Sequence, residues 1–318
     1  MSTTTLARQS ALEIRRHLYS RLWLGLALAM AASAVAAFSG TLSAVRGQQA
    51  RFLADVASYE ERGVTLAQAL AAPVQVIEDG NAQTIENPLK YDYLRLGESL
   101  YSVTSPWGVV ATAVEFATFI VIPLVFLFVG ASSAVTDRRA GTLKLRASTD
   151  PVVGINIGKI VAIAVAAGVA VLSLVGAGVL TALVGRLVTG DLAASSTVPV
   201  PTTPADGHPM ILKLALCFAV AVFFGLAGFA IGTVTRALTW PLVLAALALF
   251  VVPFLSAWDP RNLLAVIGSA VFDFWGQFEL RPPIPGVATS AAVATTLALA
   301  VACGLIGVML PRGRRRVL

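Results

Sequence analysis

Of the chain's 318 residues, 57% are hydrophobic and only 13% are charged, about half the charged share of an ordinary soluble protein. That balance excludes a soluble globular domain and places most of the chain in lipid. The net charge of +6, from 23 Lys and Arg against 17 Asp and Glu, is distributed as a topology signal and calls for no nucleic-acid partner.

Six runs carry no Asp, Glu, Lys or Arg: Leu22 to Val45, Phe116 to Thr136, Ile160 to Gly185, Leu214 to Thr235, Ala237 to Trp258 and Pro282 to Pro311. Each exceeds the roughly 20 residues that cross about 30 Å of hydrocarbon, and unbroken runs exclude the alternation of a barrel. The chain is therefore predicted to be an all-α polytopic membrane protein with six transmembrane helices.

Ahead of the first run, Ala7, Ala11, Ile14, Leu18 and Leu22 recur on one helical face, which predicts an interfacial helix over residues 1–21. The first run is too long for a cleaved signal segment and is read as an uncleaved span. Ala32, Ala36 and Gly40 repeat at four-residue spacing within it, as do Ala221 and Gly225 in the fourth span, continued by Gly228 and Gly232; such residues let helices pack closely.

Residues 43–106 form an excursion between spans one and two. ARFLADVASYEERG reads as a helix ended by Gly63, GVTLAQALAAP as a short helix stopped by Pro73, and EDGNAQTIENP as turns, together making a small helical cap. Glu115 follows, about 12 Å along the helix from Trp107. A carboxylate at that depth is costly; it is a candidate pathway residue, with an ion pair to a neighbouring helix as the alternative.

Residues 137–159 read DRRAGTLKLRASTDPVVGINIGK. The GINIGK end is not a phosphate-binding loop: Gly154 and Gly158 are one residue too close, and Ile160 stands where a Mg²⁺-binding Ser or Thr is needed. Leu143, Leu145, Val152, Val153, Ile155 and Ile157 interleave with basic residues, as suits a short helix offering apolar knobs and a charged rim to a protein groove. The third and fourth spans are joined by the Pro-, Ser- and Thr-rich ASSTVPVPTTPADGHP, read as extended. Residues 259–285 between the last two spans are far more apolar and are predicted to dip into the membrane surface.

The two ends and the 137–159 loop carry the excess of Arg and Lys, whereas Arg46 to Trp107 has five bases against eight acids. By the positive-inside rule both termini are cytoplasmic. No catalytic constellation is visible: His17 and His208 are the only histidines and are predicted on opposite faces, and Cys217 and Cys303 lie inside spans. The chain is read as no enzyme and as holding no metal.

The order of an acid, Gly-Thr-Leu, a Pro and a Gly-Lys in the 137–159 loop resembles the cytoplasmic loop of ABC-2 type transporter permeases. Asp137, Gly141, Thr142, Leu143, Pro151, Gly158 and Lys159 match; Asp stands for the usual Glu, and Val153 and Gly154 stand where an Arg is common. The resemblance extends to the interfacial helix, the six spans and the membrane-dipping loop. It implies an ABC-2 (ABCG-like) exporter fold in a bacterial plasma membrane, a homo- or heterodimer with a second permease subunit, and two ABC ATPase subunits that bind ATP and Mg. It makes 137–159 the coupling loop, with Asp137, Arg138, Arg139, Gly141, Thr142, Leu143, Leu145, Pro151 and Lys159 as the ATPase-coupling residues. An ATP-independent secondary transporter or channel, and a membrane scaffold or immunity protein, are the competing readings.

Overall fold

The computed structural model describes residues 3–79, 82–189, 209–240, 256–272 and 283–309, with a few single positions between them. It is almost wholly helical, in the order α1 (Thr3–Tyr19), α2 (Leu22–Glu61), α3 (Leu66–Ala71), β1 (Val76–Asp79), β2 (Ala82–Ile85), α4 (Pro88–Thr104), α5 (Pro106–Phe116), a π-helical turn (Ala117–Val121), α6 (Ile122–Arg139), α7 (Thr142–Thr149), α8 (Val152–Thr189), α9 (Met210–Thr235), a short 3-10 turn (Ser256–Trp258), α10 (Pro260–Ser269) and α11 (Thr289–Met309).

Five stretches are long and apolar enough to cross a membrane: Leu22–Glu61, Pro106–Arg138, Val152–Leu187, Met210–Thr235 and Thr289–Met309. The sixth predicted run, Ala237 to Trp258, lies almost wholly outside the described residues. Three predicted edges move. At 40 residues α2 is about 60 Å long, so roughly half of it projects beyond a 30 Å bilayer core, and no break occurs at Val45. The second span begins at Pro106, well before Phe116, and α8 begins at Val152, so that GINIGK lies inside a helix that already uses its N–H groups. Charge-free runs under-read α2 and α8 because those helices continue past the lipid into protein contacts, where charge is tolerated, and under-read the second span because the buried Glu115 lies within it.

The α5 and α6 helices form one rod interrupted by the π-helical turn. Pro123 follows that turn; lacking an N–H, it cannot donate to the carbonyl of Phe119, and the ladder widens there instead of breaking. This rod is central, with 61% of its most apolar stretch buried, whereas α11 is peripheral at 11%. Leu26, Met30, Ile122, Phe126 and Leu174 form the core between α2, α5–α6, α8 and α9. The tightest contact joins α6 to α9: a Cβ on Gly130 would fall on the Gly225 carbonyl, and one on Gly228 on the Leu127 carbonyl. The small residues of the fourth span thus serve packing within the bundle. Those of the first do not, because Ala32 and Ala36 are exposed.

The 43–106 excursion is an ordered cap with its own core of Val45, Phe52, Val56, Leu89, Leu96 and Leu100. Gly63 (φ 80°) ends the first helix as the sequence predicts, and a Thr65–Gln68 capping box opens α3. Asn87 caps α4 and also donates to the Ala69 carbonyl at 2.7 Å, tying α3 to α4. One element departs from the all-α expectation: the segment read as turns forms an antiparallel hairpin, with Val76 opposite Ile85 and Asp79 opposite Ala82. Of the linker before α9, Val200 is buried in the cap core; most of the remainder lies outside the described residues.

In the predicted membrane-dipping loop, α10 is buried from Asn262 to Gly268 and packs against α11. Asn262 donates to the carbonyls of Ala257 (2.8 Å) and Ile284 (3.3 Å) and accepts from the Ile284 N–H (2.7 Å), so one side chain staples both ends of the loop. Residues 273–282, including Phe274 and Trp275, lie outside the described residues.

Candidate functional site

The predicted coupling segment folds as the α6 terminus, α7 and the first turns of α8. Gly141 (φ 68°) is the hinge of this reversal, a backbone state that side chains with a Cβ resist; its N–H closes α6 on the Arg138 carbonyl at 3.2 Å while the residue itself caps α7. Thr142 Oγ1 donates back to the Asp137 side chain at 3.3 Å. Asp150 is extended, as a residue preceding proline must be, and the exposed Pro151 starts α8. The Gly-Thr-Leu and Pro signals thus have local structural causes.

Asp137 is fully buried at the centre of this fold-back. Lys159 Nζ approaches its Oδ2 at 2.8 Å and Arg146 Nη1 at 2.9 Å, while Arg16 of α1 donates to its Oδ1. Arg146 also bridges to the buried Glu13 of α1 at 2.5 Å. Four elements, α1, α6, α7 and α8, therefore meet at one hub of three cations and two carboxylates. Each charge has an opposite partner, the condition under which buried charge is tolerated.

The α1 helix lies across α8 at Gly158, where a Cβ would stand 3.1 Å from the Gln9 backbone. Gly158 thus permits a helix crossing. Gln9, Glu13 and His17, spaced four apart, form the protein-facing stripe of α1 and are all buried. Burial holds the His17 imidazole below its ordinary range; Glu13 opposes this, and Arg16 and Lys159 add to it. His17 Nε2 lies 3.5 Å from Ser133 Oγ on α6. The apolar face predicted for α1 points the other way: Ala7, Ala11 and Leu18 are exposed.

The predicted coupling residues therefore divide into two sets. Asp137 and Lys159 are buried inside the hub and cannot themselves meet a docking protein without its opening. Arg138 reaches across to the Thr233 carbonyl of α9 at 3.1 Å. Gly141, Thr142, Leu145 and Pro151 are exposed, Leu145 at 76%, and Leu143 is half-buried. Ile155, predicted as a knob, is instead fully buried in the bundle because the helix of the third span starts before it. The side chain of Arg139 is outside what is described. The predicted set omitted Glu13, Arg16, His17 and Arg146. A signal was present in the four-residue polar spacing of α1, but the chain between residues 17 and 137 hides that α1 and α6 meet.

Glu115 is buried at 5% exposure, immediately before the π-helical turn. One turn further on, the buried Thr118 hydroxyl donates to the Val114 carbonyl at 2.6 Å. Lys213, one turn before Cys217, is buried at 8% with its ammonium 6.0 Å from the Phe272 ring, and Phe272 stacks edge-on against Phe119 at 5.5 Å. A buried acid and a buried base thus lie on two packed helices, with Phe272 between the Lys213 ammonium and the Phe119 ring. Sequence reading missed Lys213, because it stands one residue before the charge-free run that marks the fourth span.

Comparison with family models, curated proteins and solved structures returned no match. Among the described residues no group of His, Cys, Asp or Glu is arranged to hold a metal ion.

Proposed function

We propose that the chain is the transmembrane subunit of an ATP-driven exporter of the ABC-2 permease type, working as a dimer with two separate ATPase subunits bound at α7. In this reading the α1 end of the bundle is cytoplasmic, the cap is external, and ATP and Mg belong to the partner. The observation that carries it is the mounting of α7. A short helix is held from behind by the ion pairs of Arg146 to α1 and α6, while its front offers Leu145 to whatever lies beneath. A transmitted force needs that combination, since a loosely tethered loop would absorb the motion of a motor. Closure of the ATPase pair on nucleotide would then bias the bundle between two arrangements through its different affinity for each.

Purification of the chain from its native membrane, followed by transport in vesicles, tests the reading. A stoichiometric ATPase subunit is expected, and Leu145→Asp is expected to abolish its capture and ATP-dependent transport while leaving stability within about 0.5 kcal/mol, as for an exposed site. Capture and transport unaffected by Leu145→Asp would refute it. The buried Glu115 at a π-helical turn favours a second reading, an ion-coupled carrier; transport by the purified chain without ATPase or nucleotide would select it.

A further inference from the structure

The α1 helix has an unusual division of charge. Its one acid, Glu13, is buried in the hub with Gln9 and His17, so the outward arc contains no acidic residue. On a helical wheel, Ala7, Ala11 and Leu18 form one exposed stripe, and Arg8 and Arg15 form a row along its edge. Both arginines are exposed and make no ion pair among the described residues, and the same holds for the exposed Arg21 at the left-handed junction into α2. Because α2 enters the membrane directly from that junction, α1 lies at the boundary between lipid and water. The apolar stripe then meets the acyl region and the arginine row sits at headgroup level.

We propose that the outer face of α1 is a binding surface for anionic lipid headgroups, with Arg8 and Arg15 as the phosphate-contacting residues. Charge complementarity selects this occupant: an uncompensated basic row beside an apolar stripe matches a negatively charged leaflet, and each such residue contributes about five-fold in affinity near the surface. Through Glu13 and Arg16 on its inner side, the same helix is ion-paired to α7 and α6, so lipid charge acts on the geometry of the hub. The inference requires only that the bundle lies in a membrane and is independent of any ATPase.

The full chain reconstituted in nanodiscs of phosphatidylcholine, with and without phosphatidylglycerol, tests it by hydrogen exchange over α1. Protection of residues 6–19 is expected to rise about 25-fold with phosphatidylglycerol, from two arginines at about five-fold each. High salt should erase the increment in the unaltered chain, and R8Q/R15Q should erase it while R8K/R15K retains it. Equal protection in both lipids would overturn the proposal, as would an increment that survives R8Q/R15Q or appears only when a soluble protein partner is added. Should R8Q/R15Q not fold, the salt titration of the unaltered chain decides by itself.

Discussion

Replacing Asp137 by Asn keeps the shape of the hub centre and removes one charge. Arg16, Arg146 and Lys159 would then converge on a neutral amide, with Glu13 as the only remaining carboxylate of the hub. Removing one partner of a buried ion pair costs about 3–5 kcal/mol, and the upper end applies because three cations lose their counter-charge together. Lys159→Met should cost less, about 3 kcal/mol or under, since Asp137 retains both arginines. In the double variant the lysine charge left stranded by Asp137→Asn is also gone, so the combined loss should fall short of the sum by about 1–2 kcal/mol. Thermal unfolding in detergent gives these costs, and hydrogen exchange locates them. The loss should concentrate in α1 and α7, which the hub joins, and leave α6 and α9 protected. Strictly additive costs, or an Asp137→Asn chain in which α1 and α7 exchange as before, would show that the ion pairs do not hold the 137–159 segment.

Two glycines give a prediction of opposite signs. Gly228→Ala should destabilise by about 1–3 kcal/mol, because the new methyl meets the Leu127 carbonyl, a backbone atom that cannot rotate aside, whereas Gly168→Ala should stabilise by up to about 1 kcal/mol, having nothing within 4 Å; a same-sign result in thermal unfolding would contradict the α6–α9 contact. The docking of α1 should weaken in acid. His17 has its folded-state pKa lowered from 6.5, so the undocked helix binds a proton more readily, and stability present above 6.5 declines as pH falls below it. Exchange over α1, corrected for its intrinsic pH dependence, should therefore rise between pH 7.5 and about 5.5 and do so less in His17→Gln; a slope unchanged by that substitution would remove His17 as the cause.

The local pattern of the chain determined what solvent it needs and where several turns fall. Charge-free runs marked the spans because unpaired charge in hydrocarbon is expensive. Gly63, Gly141 and Pro151 marked turns because each restricts the backbone whatever surrounds it. The face of α1 was legible in the same way, from spacing alone. Local pattern could not say which partner a polar residue would have. Asp137 and Lys159 read as rim charges, whereas packing placed them inside with Arg16 and Glu13, more than a hundred positions earlier in the chain. Nothing in the local pattern singled out Lys213, which packing buries with its ammonium 6.0 Å from the Phe272 ring. Periodicity governs what a segment does with its own backbone and with solvent. Which charges neutralise one another depends on the distances between segments, and those exist only once the helices have packed.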